Sequence, residues 1–90
     1  MTQKEMHLLD LICVKHDAML DYIDGNLVGI RVFHPHCLNS SVEVYAESLS
    51  NLVSKLRSFD YGSSIHICPE AVDQCCSICL EIANDIEITV

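Results

Sequence analysis

Six cysteines and five histidines in 90 residues are the groups from which chemistry would be built. Cys68 follows a predicted strand and precedes Pro69, at or beside the N-cap of the next predicted helix. Free N–H groups and the helix dipole would stabilise a thiolate there. His66, two residues back on the same strand face, is the available base. A nucleophile also needs an oxyanion site, and no Arg follows Cys68 to make a phosphate-binding loop. A capping or packing role is the ordinary one. Cys76-Ser77-Ile78-Cys79 has the redox CxxC spacing. Redox use requires the first thiol near a helix N-terminus, whereas this pair falls mid-helix beside Cys75 and reads as packed thiols. His34, His36, Cys37, His66 and Cys68 are metal-capable. Zinc would need four such groups converging within roughly 2.0–2.3 Å, and their spacing is not that of a finger or ribbon. The expectation is no catalytic residue, no metal and no cofactor.

Charge points elsewhere. Asp and Glu number 13 against 5 Lys and Arg, a net charge of -8. That balance argues against direct binding of nucleic acid, which needs cationic clusters, and favours basic partners. Asp10, Asp17, Asp21 and Asp24 fall at helical spacing, opposite Met6, Leu8, Leu9, Ile12, Met19 and Ile23. Such a row is ordinarily a solvated helix face. Here it is almost uniformly acidic, with Lys15 the basic residue of the helix body, and it could mimic spaced phosphates.

The elements that would position these groups are read from periodicity. Three- and four-residue spacing predicts a first helix from about Thr2 or Lys4 to about Asp24, stopped by Gly25. Asp24-Gly25-Asn26 is also a hairpin signal, but the longer amphipathic pattern favours the helix. Leu27–Phe33 and Ser41–Ala46 alternate as strands around a loop at Pro35, and Ser48 caps a helix to about Phe59. Ser64–Cys68 reads as a strand, Pro69 opens a helix to about Asn84, and Ile86, Ile88 and Val90 alternate as a last strand. The order is α-β-β-α-β-α-β. One apolar face per strand predicts an α+β two-layer sandwich: a four-stranded mixed sheet with three helices on one face. Right-handed crossovers would join parallel strands, and the first two strands would be antiparallel. The open sheet face would carry Arg31, Phe33, Glu43, Tyr45, His66, Glu87 and Thr89.

Ninety residues, half of them hydrophobic, make a single domain spanning 1–90, too apolar for disorder. Some of that apolar surface could be covered in a homodimer. There is no apolar run of about 18 residues and no signal-peptide pattern at the start. Reduced thiols and a cytoplasmic location are expected. The functional expectation is a small acidic protein-binding module. It would dock on a larger protein with a basic, nucleic-acid-binding surface and inhibit or adjust it. Its partner-binding residues would be Asp10, Asp17, Asp21, Asp24, Phe33, Glu43, Tyr45 and Glu87. In size and charge alone it compares with phage-borne inhibitors such as anti-CRISPR and nucleic-acid-mimic proteins. The alternatives are a homo-oligomeric accessory protein, or a Cys68/His66 thiol or metal site.

Overall fold

The computed structural model describes the backbone of residues 1–34, 37–65 and 71–89, and their side chains except at 37–39, 63–65 and 71–76. The elements are α1 (Gln3–Lys15), β1 (Ala18–Asp24), β2 (Leu27–His34), β3 (Cys37–Ala46), α2 (Leu49–Ser58), β4 (Ser63–Ile65) and α3 (Ala71–Thr89). Three long antiparallel strands, in the order β1-β2-β3, form the body of the sheet. The short β4 adds antiparallel to the edge of β3. The order expected from the sequence is therefore wrong, and so is the mixed four-stranded sheet. Among the described residues the chain runs α-β-β-β-α-β-α, every strand pairing is antiparallel, and α2 links neighbouring antiparallel strands rather than crossing over between parallel ones.

Two segments account for the difference. The first predicted helix ends at Lys15, and Ala18–Asp24 is a strand. Apolar or acidic residues four apart, such as Met19 and Ile23 or Asp17 and Asp21, complete one helical turn and also two strand repeats. The spacing therefore did not discriminate. The turn did. Asp24 pairs with Leu27, and Gly25 adopts φ 61. Asn26 does not share a positive φ, which is the pattern of a type II′ two-residue hairpin turn. The second segment is the end of α3. Ile86, Glu87, Ile88 and Thr89 alternate like a strand, but Cys79, Ile82, Ala83 and Ile86 extend one helical stripe, all buried. The helix leaves Ile88 82% exposed, the residue that alternation would have placed inward.

α1 begins at a capping box. The Thr2 hydroxyl accepts from the Glu5 N–H, and the Glu5 carboxylate accepts from the Thr2 N–H, which holds the Glu5 carboxyl below its ordinary pKa. Its C-cap is His16, whose Nε2 lies 2.8 Å from Asp85 Oδ2 and whose Nδ1 lies 3.5 Å from Glu81 Oε2. Lys15 reaches the same Asp85 at 3.4 Å. The His16 hydrogen bond, then burial working against it and the Lys15 charge, leave the Asp85 carboxyl with a lowered pKa. This contact fixes the end of α1 to α3 and so aims the chain into β1.

The core lies on one sheet face. Val28, Ile30 and Val32 pair across with Ala46, Val44 and Val42, and all six are buried. Leu9, Ile12 and Cys13 of α1, Leu49, Leu52 and Leu56 of α2, and Ile78, Cys79, Ile82, Ala83 and Ile86 of α3 close over them. Fully burying one such aliphatic side chain is worth about 1.5–3 kcal/mol. Ser48 caps α2 by accepting from the Asn51 N–H, and α2 ends at Phe59 in the left-handed region, φ 56.

Candidate protein-docking surface

The sheet face opposite the helices is organised around Tyr45. Its cross-strand partner is Gly29. A Cβ at Gly29 would meet one edge of the Tyr45 ring at 2.6 Å, and a Cβ at Gly62 would meet the other at 2.6 Å. The ring therefore lies across the sheet in a slot that two glycines keep open. Tyr22 of β1 meets it edge-on, with centroids 5.7 Å apart and planes at 87°. The Gly62 N–H donates to the Glu43 carbonyl at 2.7 Å, and Lys55 Nζ donates to the Tyr45 carbonyl at 2.6 Å.

The charges beside this slot form a closed network. Arg31 and the Tyr45 hydroxyl both donate to the Glu43 carboxylate. Arg31 Nη2 also lies 3.3 Å from Asp21 Oδ2. Arg31 Nε is buried with no hydrogen-bond partner among the described residues. One cation thus faces two carboxylates and is not free to hold an external phosphate. The bond to Glu43, followed by burial and the Glu43 charge, pushes the Tyr45 phenol pKa up. Asp24 does the same to Tyr22, by its charge and by accepting from the hydroxyl at 3.2 Å.

A β-bulge makes the network possible. Leu20 pairs with Ile30 and Tyr22 with Gly29, so Asp21 is an extra residue in β1. Strict alternation would put Asp21 and Tyr22 on opposite faces. The bulge lets Asp21 reach Arg31 while Tyr22 reaches Tyr45.

The residues singled out from the sequence are distributed unevenly. Phe33, Glu43 and Tyr45 share the outer face with Arg31, and Phe33 pairs with Ser41. Asp17 lies exposed between α1 and β1, its carbonyl accepting from the Phe33 N–H at 2.7 Å. Asp21 and Asp24 are on β1, whereas Asp10 is exposed on α1. The four aspartates therefore do not make a row on one helix. Glu87 and Thr89 are on α3, not on the sheet, and Glu87 accepts from Arg57 Nε at 2.8 Å. His36, His66, Ile67, Cys68 and the side chain of Cys37 lie outside the described residues, and the thiol and metal alternatives with them. Among the described residues no set of His, Cys, Asp and Glu has metal-site geometry. Cys13 and Cys79 are fully buried. Burial, with the Asp10 charge adding to it, pushes the Cys13 thiol up to about 12. Met19, Tyr22, Gly29 and Gly62 belong to the surface but were not singled out. The Asp24-Gly25 turn signal was the clue to the first two, since accepting the hairpin puts β1 beside β2.

No protein-family model, curated protein or solved structure matches this chain. Among the described residues no helix is long and apolar enough to cross a membrane.

Proposed function

We propose that this chain is a non-enzymatic, acidic protein-binding module. It docks on the basic, nucleic-acid-binding surface of a larger protein and blocks or adjusts it in the cytoplasm. The observation that carries the reading is the charge at β1 and the outer sheet face. Asp17, Asp21, Asp24 and Glu43 gather around Arg31, which pairs with Asp21 and Glu43, beside the half-exposed aromatic ring of Tyr22. Exposed aromatic residues are enriched in recognition patches, whose rims are polar. Each rim pair contributes little alone, about 0.2–1 kcal/mol, but together they steer association.

The test compares two charge-matched variants for binding to poly-L-lysine at low and high salt. D17N/D24N removes carboxylates from β1 and its approach, while E47Q/D60N removes two exposed carboxylates elsewhere. The first pair is expected to bind more weakly and more slowly, most visibly at low salt. Equal losses would mean that net charge alone acts, with no localised surface.

A second reading has its own observation. Leu11 and Val14 on α1 and Ile88 on α3 are exposed aliphatic residues, and Leu11 also lines a groove with Leu8, Leu49 and Thr89 that Lys4, Glu5 and His7 border. Burial of this region in a homodimer would give a concentration-dependent mass in solution that Leu11→Glu abolishes.

A further inference from the structure

Strand order places β1 at an edge of the sheet, and among the described residues no strand lies on its far side. In an antiparallel ladder, alternate residues turn their N–H and C=O groups towards the neighbour and the others away. The Phe33 N–H bonds to the Asp17 carbonyl at 2.7 Å, which sets the phase. Asp17 turns towards β2, and Leu20 turns its backbone groups to the open side. The Ala18 N–H, in the same phase as Leu20, is already taken by the His16 carbonyl at 2.9 Å.

The side chains of β1 are those of a strand awaiting cover. Met19, Tyr22 and Ile23 are 45%, 41% and 56% exposed. Natural edges are commonly blunted by lysine or other charged side chains, by proline, by a β-bulge or by a covering loop. Residues 16–30 contain no Lys, Arg or Pro. The devices this edge does carry are the bulge at Asp21, which shortens the run open to pairing, and the three carboxylates of Asp17, Asp21 and Asp24, which disfavour a like-charged neighbour. The nearby cation, Arg31, is shared by Asp21 and Glu43. The edge is therefore anionic. Pairing two copies edge to edge would bring two sets of these carboxylates together, on chains of net charge -8. A cationic strand meets the opposite condition: its backbone completes the ladder, and its Lys or Arg side chains meet the aspartates.

We propose that the open edge of β1 takes up a short, extended, lysine- or arginine-bearing segment of the partner protein as an added strand. This rests on the reading of the chain as a binder of basic proteins, and it specifies how the contact is made. In strand addition the main chain supplies affinity and alternate side chains supply selectivity. The bulge keeps the added strand short, because the ladder changes phase at Asp21.

The experiment uses three synthetic eight-residue peptides and the full chain. The first alternates Lys with Val, the second is the same peptide N-methylated at alternate backbone nitrogens, and the third has Glu for each Lys. Titration calorimetry gives affinity, and amide exchange followed by NMR gives location. The Lys peptide is expected to bind, to slow exchange at Leu20 and its β1 neighbours, and to bind about tenfold more weakly to D17N/D24N. N-methylation is expected to weaken it about tenfold or more, since it removes the donors of the ladder. The Glu peptide is expected not to bind. If the N-methylated peptide binds as well as its parent, or protection appears away from β1, strand addition is wrong while the basic-partner reading stands. If neither cationic peptide binds, both fall. A free chain whose dimeric mass collapses on adding the Lys peptide would make a second copy the natural occupant of the edge and overturn the proposal.

Discussion

On β2, Val28, Ile30 and Val32 face the helices, while Gly29, Arg31 and Phe33 face away. On β3, Val42, Val44 and Ala46 are set against Ser41, Glu43 and Tyr45 in the same manner. The two faces share one backbone and differ in what holds them. The inner face is aliphatic and closed by three helices, so its stability comes from area removed from water and from dense packing. The outer face is held by geometry: a ring in a glycine slot, an edge-on aromatic neighbour, and one guanidinium between two carboxylates. Packing of the first kind tolerates little change in volume. The second is half-exposed and adds little to folding, which leaves it available for recognition.

Substitutions should separate the two faces, and the largest effect belongs to the inner one. Ile30→Asp buries an unpaired carboxylate where Ile30 is 0% exposed. It is expected to cost about 4 kcal/mol or more and to abolish folding, as read by far-UV circular dichroism and urea unfolding. Native stability in this variant would invert the assignment of faces.

Gly29→Val places a branched side chain against the Tyr45 ring and is expected to cost about 1–3 kcal/mol. In a Tyr45→Ala background the same change should be much milder, so a double-mutant cycle checks the slot directly. Additive effects would mean that the ring and the glycine do not touch in solution.

Arg31→Met leaves Asp21 and Glu43 without their cation. These groups are partly solvated, so the loss should be about 1 kcal/mol or less and should shrink as salt is added. A loss as large as that of Ile30→Asp would make the outer network part of the folding core.

Acid sensitivity provides the smallest signal. The folded Asp85 carboxyl titrates below its ordinary 3.8. Its contribution is therefore complete above about that value and is lost as pH falls through the lower, folded-state value. Asp85→Asn should lower stability at neutral pH and make the decline on acidification below about pH 4 shallower. An unchanged acid limb would remove the His16–Asp85 contact from the account.

The sequence was legible where a single period fitted. Val28, Ile30 and Val32, then Val42, Val44 and Ala46, alternate and are inward; Leu49, Leu52 and Leu56 follow the Ser48 cap on one helical stripe. It was not legible where two periods coincide. Met19 and Ile23 fit a helix or a strand equally, and Ile86–Thr89 alternates within a helix. The hairpin turn at Gly25 decided the first case, and the core surface against which Ile82, Ala83 and Ile86 pack decided the second. Glu43, Phe33 and Tyr45 were recognisable as outward residues from alternation. Asp21 and Tyr22 were not, because their shared face depends on a bulge, and nothing in local spacing announces one extra residue in a ladder.

The strand order has a kinetic consequence. Each strand of the sheet pairs with the strand that precedes or follows it along the chain. The β1–β2 hairpin closes through a two-residue turn, and β3 adds to the strand just before it. Little loop-closure entropy is lost before these first contacts form. The distant contacts are those of α3, which reaches back to α1, β2 and β3. The hairpin and β3 can therefore assemble as an early meander, with the docking of α3 as the late event that seals the aliphatic face.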